Sequence, residues 1–160
     1  MTDVKDIKAD LRYYDLREWL GLAENMGEVR TVKGLNWQEE IGMASEVVLH
    51  EESAPCLVFE DVPGTLPGSR VLVNFFGGDR QKMTLGFPKH LNKLELSEAF
   101  RLNYMADLKR IPPVYVNDGP IFQNVMKGDD VDVSIFTTPM WHPEDGGRYI
   151  GTGSFNVTRD

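Results

Sequence analysis

Cysteine is nearly absent: Cys56 is the single one among 160 residues, so no intramolecular disulfide can form. It sits in the apolar run Cys56-Leu57-Val58-Phe59 and is followed by Glu60 and Asp61. A reactive thiol needs a basic neighbourhood that favours the thiolate, so Cys56 is expected to be a small buried apolar residue. Long apolar runs are missing as well. No stretch has the length that crosses a bilayer, and the first residues hold no apolar segment of signal-peptide type. The expectations are a cytoplasmic location and no membrane contact. Positive charge is scarce too, with 17 basic against 25 acidic residues and a net charge of −8. A nucleic-acid binder needs a basic footprint to displace counterions from phosphate, and no nucleic-acid partner is expected. Internal repeats and low-complexity segments are also lacking.

What is present belongs to an ordinary folded chain, 41% hydrophobic and 26% charged. A chain of this size buries roughly 70% of its unfolded surface and folds without staples. Residues 1–13 are polar with scattered apolar positions and read as an arm or short helix. Leu16, Trp19, Leu20 and Ala23 then recur at helical spacing, with Asp15 placed to cap the first turn and Gly27 to close the last. Both Trp19 and Trp37 are expected to be buried on helix faces. Glu28 to Val32 alternates as a half-buried strand does. Asn36-Trp37-Gln38-Glu39 has capping-box spacing, with Glu39 reaching back, and Trp37, Ile41, Ala44 and Val48 line one face of the helix that follows.

Leu57–Phe59 and Val71–Phe75 read as short strands covered on both sides. A third helix is expected after Asp79 and a fourth over Ser97–Lys109, ended by Pro112 and Pro113. Turn residues multiply from Val114 onward, which places a domain boundary near Ile111–Asn117. Val131, Val133 and Ile135 alternate as in an antiparallel strand, and Ile150–Thr158 reads as another. Arg159-Asp160 resembles the opening of a turn, and a strand followed by a turn ordinarily has a hairpin partner. The expectation is a chain cut from a longer one.

Residues with chemical potential are few. Phe75-Phe76-Gly77-Gly78-Asp79 puts two glycines between a strand and a helix, but it lacks the lysine of a phosphate loop and the third glycine of a dinucleotide fingerprint. It reads as a tight turn. His142, Glu144 and Asp145 are metal-ligand types at a spacing that matches no common site, so they read as a solvated turn. His50 lies near a helix C-terminus, where positive charge is favoured, and His90 follows Pro88-Lys89 in a loop. These residues describe an acidic α/β domain and supply no catalytic centre.

Several segments, taken in order, resemble the UbiD family of reversible decarboxylases. They are Asp15-Leu16-Arg17-Glu18-Trp19-Leu20 with Gly27-Glu28-Val29, Glu39 to Glu46, Pro55 to Gly64, Val71 to Gly77, Trp141 to Ile150, and Asn156 to Asp160. Gly78-Asp79 and Gly153-Ser154 depart from residues common in that family. The resemblance implies an N-terminal α/β domain over residues 1–115, followed by the first strands of a flavin-binding split β-barrel over residues 116–160, apparently incomplete. It implies a parent enzyme that decarboxylates aromatic, heteroaromatic or α,β-unsaturated acids. Prenylated FMN, Mn2+ and K+ would serve that parent, the flavin acting as electron sink while a glutamic acid supplies a proton. Catalytic, cofactor and metal residues are implied to lie beyond residue 160, so this chain alone is expected to bind none of these groups and to be inactive. Thr152, Gly153 and Ser154 are the implied substrate-pocket wall, against the simpler reading of small residues that let a barrel strand pack closely. The implied partners are the rest of the decarboxylase chain, or a separate catalytic subunit, within a homo-oligomer. An alternative from another class is a non-catalytic subunit or scaffold paired with a catalytic chain, and a third reading is an independent flavin-binding module.

Overall fold

A computed structural model describes residues 3–106 and 111–150. Among the described residues there are four α-helices: α1 (Leu16–Asn25), α2 (Glu40–Leu49), α3 (Arg80–Thr84) and α4 (Lys93–Phe100). Three strands, β1 (Val29–Lys33), β2 (Cys56–Glu60) and β3 (Val71–Val73), form one sheet in the order β1-β2-β3. The chain divides into two compact units. One comprises residues 1–19 and 79–133, the other residues 20–78 and 134–160.

The second unit is built on a β1-α2-β2 crossover. β1 and β2 run parallel, with Val29 opposite Cys56 and Lys33 opposite Glu60. β3 returns antiparallel to β2, pairing Val71 with Phe59. β2 is central and covered on both faces, which explains its unbroken apolar sequence. Cys56 is fully buried there, as expected of a small apolar residue. Ile41 of α2 packs with Leu57, Phe59, Val62 and Val71, and Ala44 and Val48 complete that helix face. At the strand ends Lys33 Nζ meets the Glu60 carboxylate at 3.0 Å, and this carboxylate raises the lysine pKa above its ordinary value.

Local signals place α1 closely. The amides of Arg17 and Glu18 donate to Asp15 Oδ1 at 2.8 and 2.9 Å. At the other end Gly27 adopts φ +72°. Its amide donates to Glu24 O at 2.9 Å while that of Glu28 donates to Ala23 O at 3.2 Å, the paired bonds of a Schellman closure.

The cap of α2 is displaced from expectation. Asn36 Oδ1 does accept from Gln38 and Glu39, but the carboxylate that reaches back to the Asn36 amide is Glu40, at 2.8 Å. Residues 37–39 form a turn and the helix begins at Glu40. Trp37 therefore precedes the helix and is half-buried, packed against the Ile41 cluster rather than carried on a helix face. β3 stops at Val73, short of Phe75, because Asn74 turns left-handed at φ 58° and its amide group donates to Ala54 O and Pro55 O.

The first unit has its own core of Ile7, Phe87, Leu91, Leu96 and Ala99. The segment before α1 forms one 3-10 turn, Val4–Asp6, and then runs extended. Asn103 fastens it, accepting from the Ala9 amide at 3.1 Å and donating to Ile7 O at 2.9 Å. Trp19 is fully buried and its indole N–H donates to Thr84 Oγ1 at 2.8 Å. α3 follows Asp79 as expected, and the Gly77-Gly78 segment is the tight turn before it.

The fourth helix starts earlier than the Ser97 expectation. Asn92 and Glu95 form a reciprocal capping box, so α4 opens at Lys93. It then widens into a π-helical turn, Arg101–Met105, closed by Ala106 N–H to Arg101 O. Phe100 and Tyr104 share a face, with ring centroids 5.2 Å apart.

The strand expected from Val131 to Ile135 does not form. Gly128–Asp130 and Val133–Ile135 are short 3-10 turns, and Val133 is 75% exposed. Alternation specifies a strand only where a neighbour accepts its hydrogen bonds and one face is covered; here neither holds among the described residues. The strand expected over Ile150–Thr158 lies outside the described residues beyond Ile150.

Candidate functional site

α2 presents a second row of residues beside its core-facing one. Gly42, Ser45, Glu46 and Leu49 follow one another at intervals of three, one and three, which puts them on one face. Together with Val73 of β3 and with Trp141, His142 and Tyr149 they line a cleft of about 260 Å³. Gly42 is the floor. A Cβ there would overlap the Trp141 carbonyl, so only glycine permits the approach.

The far wall is the segment 134–149, held by its own polar groups and by contacts with Trp37, Leu66 and Ser69. Asp145 Oδ2 accepts from the amides of His142 (2.9 Å) and Trp141 (3.1 Å), and the Asp145 amide donates to His142 O. Pro143 thus sits in a turn that the Asp145 side chain closes by reaching back to the amides of Trp141 and His142. Arg148 braces the other side. Its Nε donates to Thr138 O at 2.8 Å, its Nη2 to Phe136 O at 2.7 Å and Ser134 O at 3.2 Å, and its guanidinium stacks 4.3 Å from the Trp37 ring centroid. The wall is tied down by Met140 N–H to Trp37 O at 2.8 Å, by Leu66 N–H to Ile135 O, and by a Ser69–Thr137 hydroxyl pair.

Titratable groups gather at the cleft mouth. His142 Nε2 lies 3.9 Å from Glu46 Oε2 and its Nδ1 3.9 Å from Asp145 Oδ2. Glu46 also has His50 Nδ1 at 3.7 Å, and that ring nitrogen donates to the Glu46 carbonyl at 2.8 Å. His50 thus caps the C-terminus of α2, where the sequence placed it.

Of the three metal-ligand types in the turn, His142 and Asp145 come together and Glu144 is exposed and outside the cleft lining. No group of three or more His, Cys, Asp or Glu able to hold a metal ion occurs among the described residues. Thr152, Gly153 and Ser154 lie outside the described residues. No helix of the described residues is long and apolar enough to cross a membrane.

Gly42, Glu46, Arg148 and Tyr149 were not singled out from sequence. The 42/45/46/49 spacing was a usable signal for the second face of α2. The Arg148 brace had none, because its acceptors are backbone carbonyls.

Comparison with known proteins gives three findings. Residues 114–160 match the family profile described as UbiD, the 3-octaprenyl-4-hydroxybenzoate carboxy-lyase Rift-related domain. A pyrrole-2-carboxylic acid decarboxylase of Pseudomonas aeruginosa is 34% identical over 128 residues, which is 75% of this chain and 25% of that protein. Two structures of the Sedimentibacter hydroxybenzoicus vanillic acid decarboxylase ShVdcCD in open form are also similar. The one with truncated ShVdcD superposes on 86% of this chain and 30% of its own, at TM-score 0.70 and 27% identity. The other covers 85% of this chain and 30% of its own, at TM-score 0.70 and 25% identity. The chain therefore spans about a quarter of the length of the curated relative it matches. The ordered resembling segments, the profile, the decarboxylase relative and the structural likeness point one way: this chain belongs to the UbiD family.

Proposed function

We propose that this chain contributes the N-terminal part of a decarboxylase acting on aromatic, heteroaromatic or α,β-unsaturated carboxylic acids. The observation that carries the reading is the 34% identity to a pyrrole-2-carboxylic acid decarboxylase over three-quarters of the chain. The likeness to vanillic acid decarboxylase over 86% of the chain supports it independently. Within the reading, residues 1–115 are an α/β domain and residues 116–160 open a split β-barrel. The start of the profile match at residue 114 supports that division. Thr152, Gly153 and Ser154 line the substrate pocket.

The cofactor set of the reading is prenylated FMN with Mn2+ and K+. Among the described residues no group of three or more His, Cys, Asp or Glu could hold the metal of that set, and no step is assigned through it. Their part is structural, since Asp145 and Arg148 hold the 134–149 segment that leads to Gly151-Thr152. The partners of the reading are the remaining decarboxylase chain or a separate catalytic subunit, in a homo-oligomer in the cytoplasm. The ShVdcCD structures, which combine more than one kind of chain, support a partner chain. The matched relative is itself named a decarboxylase, which favours this reading over a non-catalytic scaffold.

The test has two arms. A polypeptide carrying this sequence with the remaining decarboxylase region, made in a host that supplies prenylated flavin, is expected to release CO2 from pyrrole-2-carboxylate, a hydroxybenzoate or a cinnamate. No release from any of the three by flavin-loaded protein would overturn the reading. The 160-residue chain alone is expected to purify colourless. A stoichiometric flavin absorbance would show that the cofactor residues lie within it.

A further inference from the structure

The cleft between α2 and the 134–149 segment has a chemistry that the decarboxylase reading leaves unused. Its apolar side is made by Leu49, Val73, Trp141 and Tyr149. The polar groups beside them are those of Ser45, Glu46 and His142. Ser45 is buried, and its hydroxyl already spends its proton on Ile41 O at 2.7 Å, leaving only lone pairs. Glu46 presents a carboxylate whose ion-pairing neighbours among the described residues are two imidazoles, His50 at 3.7 Å and His142 at 3.9 Å. No lysine or arginine pairs with Glu46 among the described residues, and its carboxylate stands at the mouth of the apolar cleft.

An apolar cleft with a carboxylate at its mouth that no lysine or arginine pairs among the described residues is complementary to a small organic cation. We propose that this cleft binds a primary ammonium carried on a short apolar or aromatic body, with the ammonium at Glu46 and the body against Leu49 and Val73. The volume of about 260 Å³ sits at the lower end of ligand-sized pockets, which limits the occupant to a fragment of about one ring. The lining also gives a role to Glu46 and Leu49, which α2 carries beside its core-facing row.

The experiment uses the 160-residue chain at pH 8 and follows amide shifts by NMR during titration with benzylammonium, benzyl alcohol and benzoate. Saturable shifts of Glu46, Leu49 and Trp141 are expected with benzylammonium, with a dissociation constant of about a millimolar, as befits a fragment. Benzyl alcohol is expected to bind about tenfold more weakly, and benzoate to leave these amides unmoved. Glu46→Gln is expected to remove the preference for the cation over the alcohol without changing the thermal midpoint. Leu49→Trp is expected to fill the cleft and abolish binding of both. Non-saturable shifts, equal binding of benzoate, or an unchanged cation preference in E46Q would each overturn the proposal. Neither flavin nor decarboxylation enters the measurement, so its outcome is independent of the proposed enzymatic reading.

Discussion

Trp19 is the largest fully buried side chain among the described residues. Its ring is fully buried and its N–H is spent on Thr84 Oγ1. Trp19→Ala removes both and is expected to cost about 3–5 kcal/mol, read from the denaturant midpoint. Trp19→Phe keeps most of the apolar area and leaves the Thr84 hydroxyl to find another partner, so a loss of about 1–3 kcal/mol is expected. Trp37 differs, since it is half-buried and serves as the platform under Arg148. Arg148→Lys keeps the charge but cannot span Thr138, Phe136 and Ser134 with one planar fork. Hydrogen exchange at 134–149 is expected to accelerate in this variant while β2 stays protected; unchanged exchange would show that the brace is dispensable. Gly42→Ala forces a Cβ into the Trp141 carbonyl, and a loss of about 1–3 kcal/mol is expected from such overpacking.

Helix ends decide how the elements respond to pH and substitution. The Asn92–Glu95 box starts α4, so Asn92→Ala is expected to lower stability by about 1 kcal/mol in chemical denaturation. Glu98 is held below its ordinary carboxyl value, first by its hydrogen bond with Arg101. Asp15 is held below it first by the Glu18 amide. A carboxyl whose folded value is depressed contributes stability above its unfolded value, and that contribution is lost as pH falls through the folded one. The contributions of both carboxylates are therefore expected to fade on the acid side. Glu98→Gln should flatten the acid limb of a stability-versus-pH curve, and an unaltered limb would refute the linkage. Tyr104 runs the other way. Burial, with a smaller effect of Tyr13, raises its phenol above the ordinary 10.0, while its hydroxyl donates to Leu85 O at 3.0 Å. Its contribution is intact below pH 10 and is expected to fade as pH rises through the raised value, following the tyrosinate absorbance.

At the scale of the whole molecule, burial is uneven. β2 is covered on both faces, whereas Ile111, Val114 and Ile121 are 89%, 85% and 81% exposed. Exposed apolar side chains close together in sequence are uncommon in a protein that works alone. The 160-residue chain is expected to bind a hydrophobic dye such as ANS and to self-associate as its concentration rises. Replacing Ile111, Val114 and Ile121 with serine should reduce both effects without shifting the denaturant midpoint. If dye binding persists, the apolar surface lies elsewhere. Backbone amides of β2 are expected to exchange slowest and those of 111–133 fastest. Equal protection would mean that this segment is covered in solution.

Short-range chemistry made part of this molecule legible from sequence alone. α1 was readable because its apolar period, its Asp15 cap and its Gly27 closure are interactions within five residues of one another. β2 was readable because an unbroken apolar run bounded by turns suits a strand covered on both sides. The ordered resemblance from Asp15 to Asp160 was sufficient for the family. Even locally, two carboxylates competed for one task at Asn36, and only the backbone path showed that Glu40 rather than Glu39 reaches back. The remainder depended on contacts distant in sequence. Gly42 matters because of Trp141, and Arg148 matters because of carbonyls ten to fourteen residues away and an indole on another segment. Val131, Val133 and Ile135 alternate like a strand, yet a strand exists only where a second one satisfies its backbone. Periodicity states which face a segment would bury, and the tertiary structure alone decides whether anything is there to bury it against.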